Sequence, residues 1–501
     1  MIKLIYRIES DYMSKKRMLI VTSVTLSVVT ISLGIVKLYQ TYALSNYIGT
    51  VTDTGIDVYI NDDSYASIPA NGSSNVYYML TNTNPGTVKY GVAYQTTSGV
   101  TVKVYDTSED PATGTIEEND KKYIKLHLEN KNSTNKTIEL STVLGYENGG
   151  DLVVPSGVTL VTDTYTPPPT AAEYITKLYT TASKTTVTNN SITYNTAPSV
   201  SLMNDRLGGT TTDLDGGNIR YYGASPNNYI YFNCSDYSNQ TSSTCETWRI
   251  IGVFDGKLKL IRGSQIGKYS WDNKNTSTGA EDNYGKNDWT TARLMKLLNP
   301  RDYYKVDSND NNLGQSLYYN SASGKCYSGK NNATVDCDFT STGIKNDETR
   351  NMIAETTYYL GGWNSYSVYP NEIYEYERGT TVYTGRPPTW PGKIALAYPS
   401  DYGYAADLNQ CKDKTLYYYD NSTCTSNNWM KAILGTSSHG WLLTPYPGHS
   451  YYAWHVRSGG NVYSYLAYGA YGAVPVLSLS SELGIESGGD GSSSNPYKLS
   501  A

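Results

Sequence analysis

The stretch from His439 to Ser480 reads HGWLLTPYPGHSYYAWHVRSGGNVYSYLAYGAYGAVPVLSLS. It holds Trp441 and Trp454, and also Tyr446, Tyr451, Tyr452, Tyr463, Tyr465, Tyr468 and Tyr471. Val462, Ser464 and Leu466 alternate with Tyr463 and Tyr465, which is the period-two rhythm of a strand. One parity can enter a core while the other presents phenol rings. Such rings give stiff contact area with a polar tip at low entropy cost. Tyrosine is abundant throughout, at 51 of 501 residues, so plain sheet packing is the rival reading.

Working outward, 501 residues are too many for one core and predict two or three domains. Phe is nearly absent, with 3 copies, and Gly is frequent, with 44. That balance favours short strands and tight turns over long helices. The net charge is −6 and no basic stripe is present, which argues against nucleic-acid binding. Charged residues make up only 17%, so hydroxyls and amides must carry solubility.

Near the N-terminus, the uncharged run MLIVTSVTLSVVTISLGIV begins at Met18, directly after Lys15, Lys16 and Arg17. Its length suits a transmembrane helix over residues 18–38, with residues 1–17 as a cytoplasmic tail and the remainder outside. This reading makes the chain a single-pass, membrane-anchored protein. A cleaved signal ending near Thr41-Tyr42-Ala43, with secretion, is the alternative.

Residues 45–163 read as an all-β sandwich of immunoglobulin-like size. In YIKLHLE, Ile124, Leu126 and Leu128 share one face while Lys125 and His127 take the other. Residues 164–182 form a linker holding Pro167-Pro168-Pro169 and then a short helix over Ala171–Ala182. Residues 183–501 form one further domain. Asp255-Gly256 between two apolar runs predicts a hairpin. Helices are expected after Asp288-Trp289-Thr290, over Lys345–Leu360 and over Asn428–Leu434, whereas NEIYEYERG reads as a strand-edge loop.

All six cysteines lie in this last domain: Cys234, Cys245, Cys326, Cys337, Cys411 and Cys424. Each neighbouring pair brackets a polar loop, which predicts three local disulfides and an oxidising compartment. No CxxC occurs, so zinc and iron–sulfur sites are not expected. No catalytic residues are assigned. His439, His449 and His455 lie near Ser450 and Ser458, but outside any GxSxG elbow. Glu372, Glu375 and Glu377 are better explained by local charge pairing than by acid–base work. No cofactor is expected, with calcium the one candidate left open. Asp307, Asn309 and Asn311 begin like an oxygen-ligand loop, but Asn312 and Tyr318 break its pattern. Asp213, Asp215 and Asp490 are weaker candidates.

The segments WLLTP, YYAWHV, GGNVYS and AYGAVPVLSL resemble a C-terminal domain of exported proteins of gut Gram-positive bacteria. The ending SGGDGSSSNPYKLS matches as well. The arginine that usually precedes the proline of the last strand is missing beside Pro475. That domain type is similar to the C-type-lectin-like fold, shared by formylglycine-generating-enzyme-related proteins and by targets of diversity-generating retroelements. The resemblance implies an α+β C-type-lectin-like domain over residues 183–501. In those targets a C-terminal strand–loop–strand tolerates many substitutions and binds receptors. Tyr451, Tyr452, His455, Arg457, Asn461, Tyr463, Tyr465, Tyr468 and Tyr471 match such exposed positions, and Tyr446 and Trp454 complete the expected ligand-binding surface.

These readings together predict a cell-surface binding or adhesion protein that recognises a glycan or protein ligand and is not an enzyme. The alternatives are a structural cell-envelope component and a hydrolase acting on cell-wall or peptide substrates.

Overall fold

The computed structural model describes residues 5–8, 18–21, 44–52, 55–57, 65–82, 86–146, 152, 154–273, 284–305, 314–328, 335–436 and 438–500. The chain divides into two units, Met1–Pro167 and Pro168–Ala501. Both are β-rich, and the longest helix among the described residues is Ala171–Thr181, at 11 residues.

The expected transmembrane helix is overturned. Met18–Val21 is a strand, paired antiparallel with Ile5–Ile8 from Ile5↔Val21 to Ile8↔Met18. Among the described residues no helix is long and apolar enough to cross a membrane. Residues 22–38 and the cleavage alternative at 41–43 lie outside the described residues. The run is rich in Val, Ile and Thr, which suit a pleated strand as well as an apolar span, so length and hydropathy alone misread it. The membrane anchor, the signal-anchor and the single-pass topology all rested on that helix and fall with it.

In the first unit two sheets enclose one core. One orders its strands Thr164–Tyr165, Val100–Tyr105, Lys121–Asn130, Gly72–Asn82, Leu44–Thr52 and Gly55–Asp57. The other orders Val158–Leu160, Val88–Gln95, Lys136–Tyr146 and Tyr65–Ile68, with Thr113–Ile116 also on Val88–Gln95. Ile124, Leu126 and Leu128 enter the core together with Val76, Tyr90 and Ile138. His127 takes the opposite face, where the Tyr165 ring stacks on it at 3.6 Å.

The second unit holds a nine-stranded sheet. Its path runs Thr185–Asn189, Ile192–Ala197, Leu202–Asn204, Ile219–Tyr221, Glu246–Phe254, Lys257–Arg262, Val476–Ser478 and Ile394–Ala395, with Tyr229–Phe232 also on Glu246–Phe254. The expected hairpin is present: Phe254 pairs with Lys257, and Asp255 and Gly256 take φ of 50° and 71°. Two left-handed residues are what a two-residue turn matching strand twist requires. The helix Ala171–Thr181 starts with a capping box between Thr170 and Glu173. All three local disulfides form: Cys234–Cys245, Cys326–Cys337 and Cys411–Cys424.

Two helical expectations and one loop expectation shift. After Asp288 the chain turns before the helix Arg293–Leu298 begins. The stretch Lys345–Leu360 splits into a helix, Asp347–Met352, and a strand, Thr356–Tyr359, because TTYY prefers the pleated state. NEIYEYERG is not a loop but lies in the helix Pro370–Arg378. Tyr369-Pro370 opens it as Tyr398-Pro399 opens the helix Pro399–Tyr404. In each, proline fixes the first helical φ and a carboxylate two residues later accepts the N–H before the proline, Glu372 from Tyr369 at 2.9 Å and Asp401 from Tyr398 at 3.0 Å.

Asp401 also joins that helix to the sheet. Its Oδ1 accepts from Arg220 Nη1 at 2.9 Å and its Oδ2 from Lys259 Nζ at 2.5 Å, while Arg220 Nε donates to Asp205 at 2.6 Å. All four groups are buried. Burial opposes the charge on Asp401, yet the Lys259 ammonium and Arg220 guanidinium hold its carboxyl below the usual range. Beside it, burial pushes Glu377 up to about 7, although Arg378 and two hydrogen bonds from Ser400 oppose the shift.

Asp401→Asn should destabilise the second unit by about 3–5 kcal/mol, because it leaves the buried Lys259 ammonium without a carboxylate and Arg220 with Asp205 alone. All 8 tryptophans lie in that unit, so urea denaturation followed by tryptophan fluorescence reads it directly. A loss below about 1 kcal/mol would remove the bridge from the stability argument. Glu377 has the opposite pH signature to an ordinary paired carboxylate. Folded-state protonation is favoured, so its contribution is complete below pH ~4.5 and is lost as pH rises through ~7. Glu377→Gln mimics the protonated form and should flatten the stability–pH curve in that window.

Candidate functional site

The tyrosine-dense stretch forms most of a second sheet, ordered Gly267–Ser270, Ala470–Ala473, Gly440–Pro445, Tyr452–Val456 and Val462–Leu466. Register decides its two faces, since cross-strand partners share a side. Trp441 pairs with His455, His455 with Tyr463, and Ala453 with Tyr465, so these project one way. Trp454 pairs with Ser464 and Val456 with Val462, so these project the other way, into a core shared with Leu442 and Val474.

The first face is aromatic. His455 is 1% exposed and lies among His439 at 5.2 Å, Tyr471 at 5.0 Å, Trp441 at 6.0 Å, Tyr465 at 6.4 Å and Tyr463 at 6.5 Å between ring centroids. Tyr463 and Tyr471 are half-buried, while Tyr465 is 40% exposed. The Arg457 guanidinium sits 4.1 Å from the Tyr463 ring centre, a cation–π contact at the rim. His439 Nδ1 accepts the Ser458 N–H at 3.0 Å, and His455 Nδ1 is buried without a hydrogen-bond partner. Burial, then His439 and Arg457, hold His455 well below the ordinary histidine range. Burial and Arg457 lower His439 as well. Both rings are therefore neutral near pH 7.

A ribbon of rings continues past the edge strand Val462–Leu466. Tyr463 packs on Tyr366 at 4.3 Å, Tyr366 on Tyr446 at 5.5 Å, and Tyr446 on His449 at 5.9 Å. His449 meets Tyr452 at 4.9 Å, Tyr452 meets Tyr451 at 5.1 Å, and Tyr284 lies between Tyr451 and Tyr468. On the other side Tyr463 meets Tyr417, which abuts Tyr418, 54% exposed. Hydrogen bonds fix the ribbon: Tyr366 Oη to Ser464 Oγ at 2.5 Å, and Tyr446 Oη donating to the Asn364 carbonyl at 2.6 Å.

Three of the residues expected on the ligand-binding surface are buried. Trp454 and His455 are covered, because both faces of the sheet's middle are packed rather than one, and Trp454 closes the core beneath Tyr366. Asn461 is buried in the turn, where its carbonyl accepts the Arg457 N–H at 2.9 Å. Tyr446, Tyr451, Tyr452, Arg457, Tyr463, Tyr468 and Tyr471 are half-buried and reach the surface with Tyr465. Tyr284, Tyr366, Tyr417 and Tyr418 join them from distant segments. The runs GGWNSYS and LYYYD carried the only sequence hint of the last three, as aromatics beside turn residues.

The other candidates stay apart. Ser458 meets His439 through its backbone N–H. Glu372 caps its helix and Glu377 faces Ser400, so the two do not flank a cleft as a pair. Asp215 accepts from Tyr179 and from Asn195 at 3.2 Å, and Asp490 accepts the Ser492 N–H at 2.9 Å. Asp307, Asn309 and Asn311 lie outside the described residues. Among the described residues no three His, Cys, Asp or Glu side chains converge as a metal site. No family model matches this chain, and no curated protein matches it.

His455 gives the site a pH signature. The unfolded imidazole takes a proton below pH ~6.5 and the folded one does not, so stability is complete above that pH and falls below it, by about 1.4 kcal/mol per pH unit. His455→Phe should remove that slope from the thermal midpoint measured between pH ~7 and ~5. An unchanged slope would place the proton uptake elsewhere.

Proposed function

We propose that the second unit is a non-catalytic binding module that recognises a glycan or protein ligand through the aromatic face and its ribbon. The carrying observation is the continuity of the rings, from Tyr284 to Tyr418 past one sheet edge, with hydroxyl tips and Arg457 at the rim. Aromatic residues of this kind dominate interface energetics, and stacking with hydroxyl contacts suits sugar rings equally. Packing beneath the face supports the reading. Trp441, Trp454 and His455 are covered and hold the outer rings in place before any ligand arrives, which lowers the ordering cost of binding. In this reading Tyr463, Tyr465, Tyr468 and Tyr471 make contact, Arg457 sets polarity, and Trp454, His455 and Asn461 are supports.

The test is a screen of the oxidised full chain against a glycan array and a panel of envelope proteins, followed by variants. Tyr465→Ala, the most exposed change on the face, should weaken a hit by about 2 kcal/mol. The triple variant at Tyr463, Tyr465 and Tyr468 should abolish it while circular dichroism and disulfide content stay the same. A hit untouched by these changes would relocate the site.

A further inference from the structure

A second feature, sharing no residue with the aromatic face, is a cleft of about 480 Å³ beside the strand Glu246–Phe254. Arg249 lines it. The residue is only 7% exposed, yet no carboxylate of the described residues pairs with it. Its partners are neutral: Nε donates to Asn228 Oδ1, and Nη2 to the Pro226 carbonyl at 3.3 Å. The guanidinium carbon lies 3.7 Å from the Tyr229 ring centre and 4.8 Å from that of Trp429. By contrast, the buried Arg220 and Lys259 share Asp401, and the half-buried Arg262 takes Glu246 at 3.0 Å. Burial alone drives Arg249 down, to about 10, with only Tyr229 opposing.

A buried charge without a partner costs free energy, and a bound anion would recover it. Among the charged residues that line the cleft, Glu246 neutralises Arg262, which leaves Arg249 as the one uncompensated positive charge. That balance fits a monoanion better than a doubly charged phosphate. The planar fork of arginine suits the two coplanar oxygens of a carboxylate. Ile433 and the Tyr229 ring supply an apolar flank for the ligand's uncharged body.

We propose that this cleft binds a monocarboxylate ligand, with the carboxylate on Arg249 and the body of the ligand against Ile433 and Tyr229. An acidic sugar and a peptide C-terminus share this chemistry.

The oxidised full chain is titrated by calorimetry with sodium glucuronate, N-acetylalanine, glucose and inorganic phosphate. At least one carboxylate should bind saturably, glucose should not, and phosphate should be about tenfold weaker. Tighter glucuronate marks an acidic sugar as the ligand class, and tighter N-acetylalanine marks a peptide terminus. Arg249→Met should weaken binding by more than about tenfold. Ser264→Trp, at an exposed rim position, should do the same with tryptophan-reported stability unchanged, which covers the case where the Arg249 variant fails to fold. Carboxylates that do not bind, phosphate bound in preference, or full affinity in Ser264→Trp would each overturn the assignment. None of these results bears on the aromatic face, whose own screen decides it separately.

Discussion

Register between Tyr452–Val456 and Val462–Leu466 is the constraint on which the aromatic face depends. Side chains alternate, so a slip of one residue would send Trp454 outward if the first strand moved, or turn Tyr463 and Tyr465 inward if the second did. Two things prevent it. Trp454, Val456 and Val462 belong to a core that only one parity can fill. The turn between the strands is closed by backbone bonds from Arg457 to Asn461 and from Gly460 back to Arg457. Gly460 has φ of 106°, and a side chain there would press on Thr425 at 2.7 Å, so the turn tolerates little else.

The buried ion cluster acts at the next level up. Asp401 connects two strands of the large sheet, through Arg220 and Lys259, to a helix start at Tyr398-Pro399. Leu443, on the aromatic sheet, donates its N–H to the Ala397 carbonyl at 2.9 Å, immediately before that start. The two sheets of the second unit are thus tied within one short segment, by charge at Asp401 and by backbone at Ala397. Satisfied buried polar groups specify a single arrangement more sharply than apolar contact does, because any alternative leaves them unpaired.

Some of this was legible in the residues, and the pattern of success is physical. The hairpin at Asp255-Gly256, the short helix after the prolines and the three disulfides are local, so each was readable within about 14 residues. Parity in YIKLHLE and in VYSYL was readable for the same reason. At the aromatic face the failures arise where distant segments decide. Alternation told which residues share a face, but not that Trp441, Tyr471 and His439 would close over His455. The ribbon needed Tyr284, Tyr366 and Tyr417, which approach from other parts of the chain. The run at Met18 failed differently, because a β-branched apolar run satisfies two incompatible states and composition does not choose between them.

The disulfides carry a consequence for how the chain matures. Each joins cysteines only 11 or 13 positions apart. As synthesis proceeds, every cysteine therefore meets its native partner before the next pair has emerged. Of the fifteen pairings that six thiols allow, the native one is also the one that order of emergence favours. Covalent closure need not wait for the long-range sheet pairings, so oxidation and tertiary assembly can run as separate events in time.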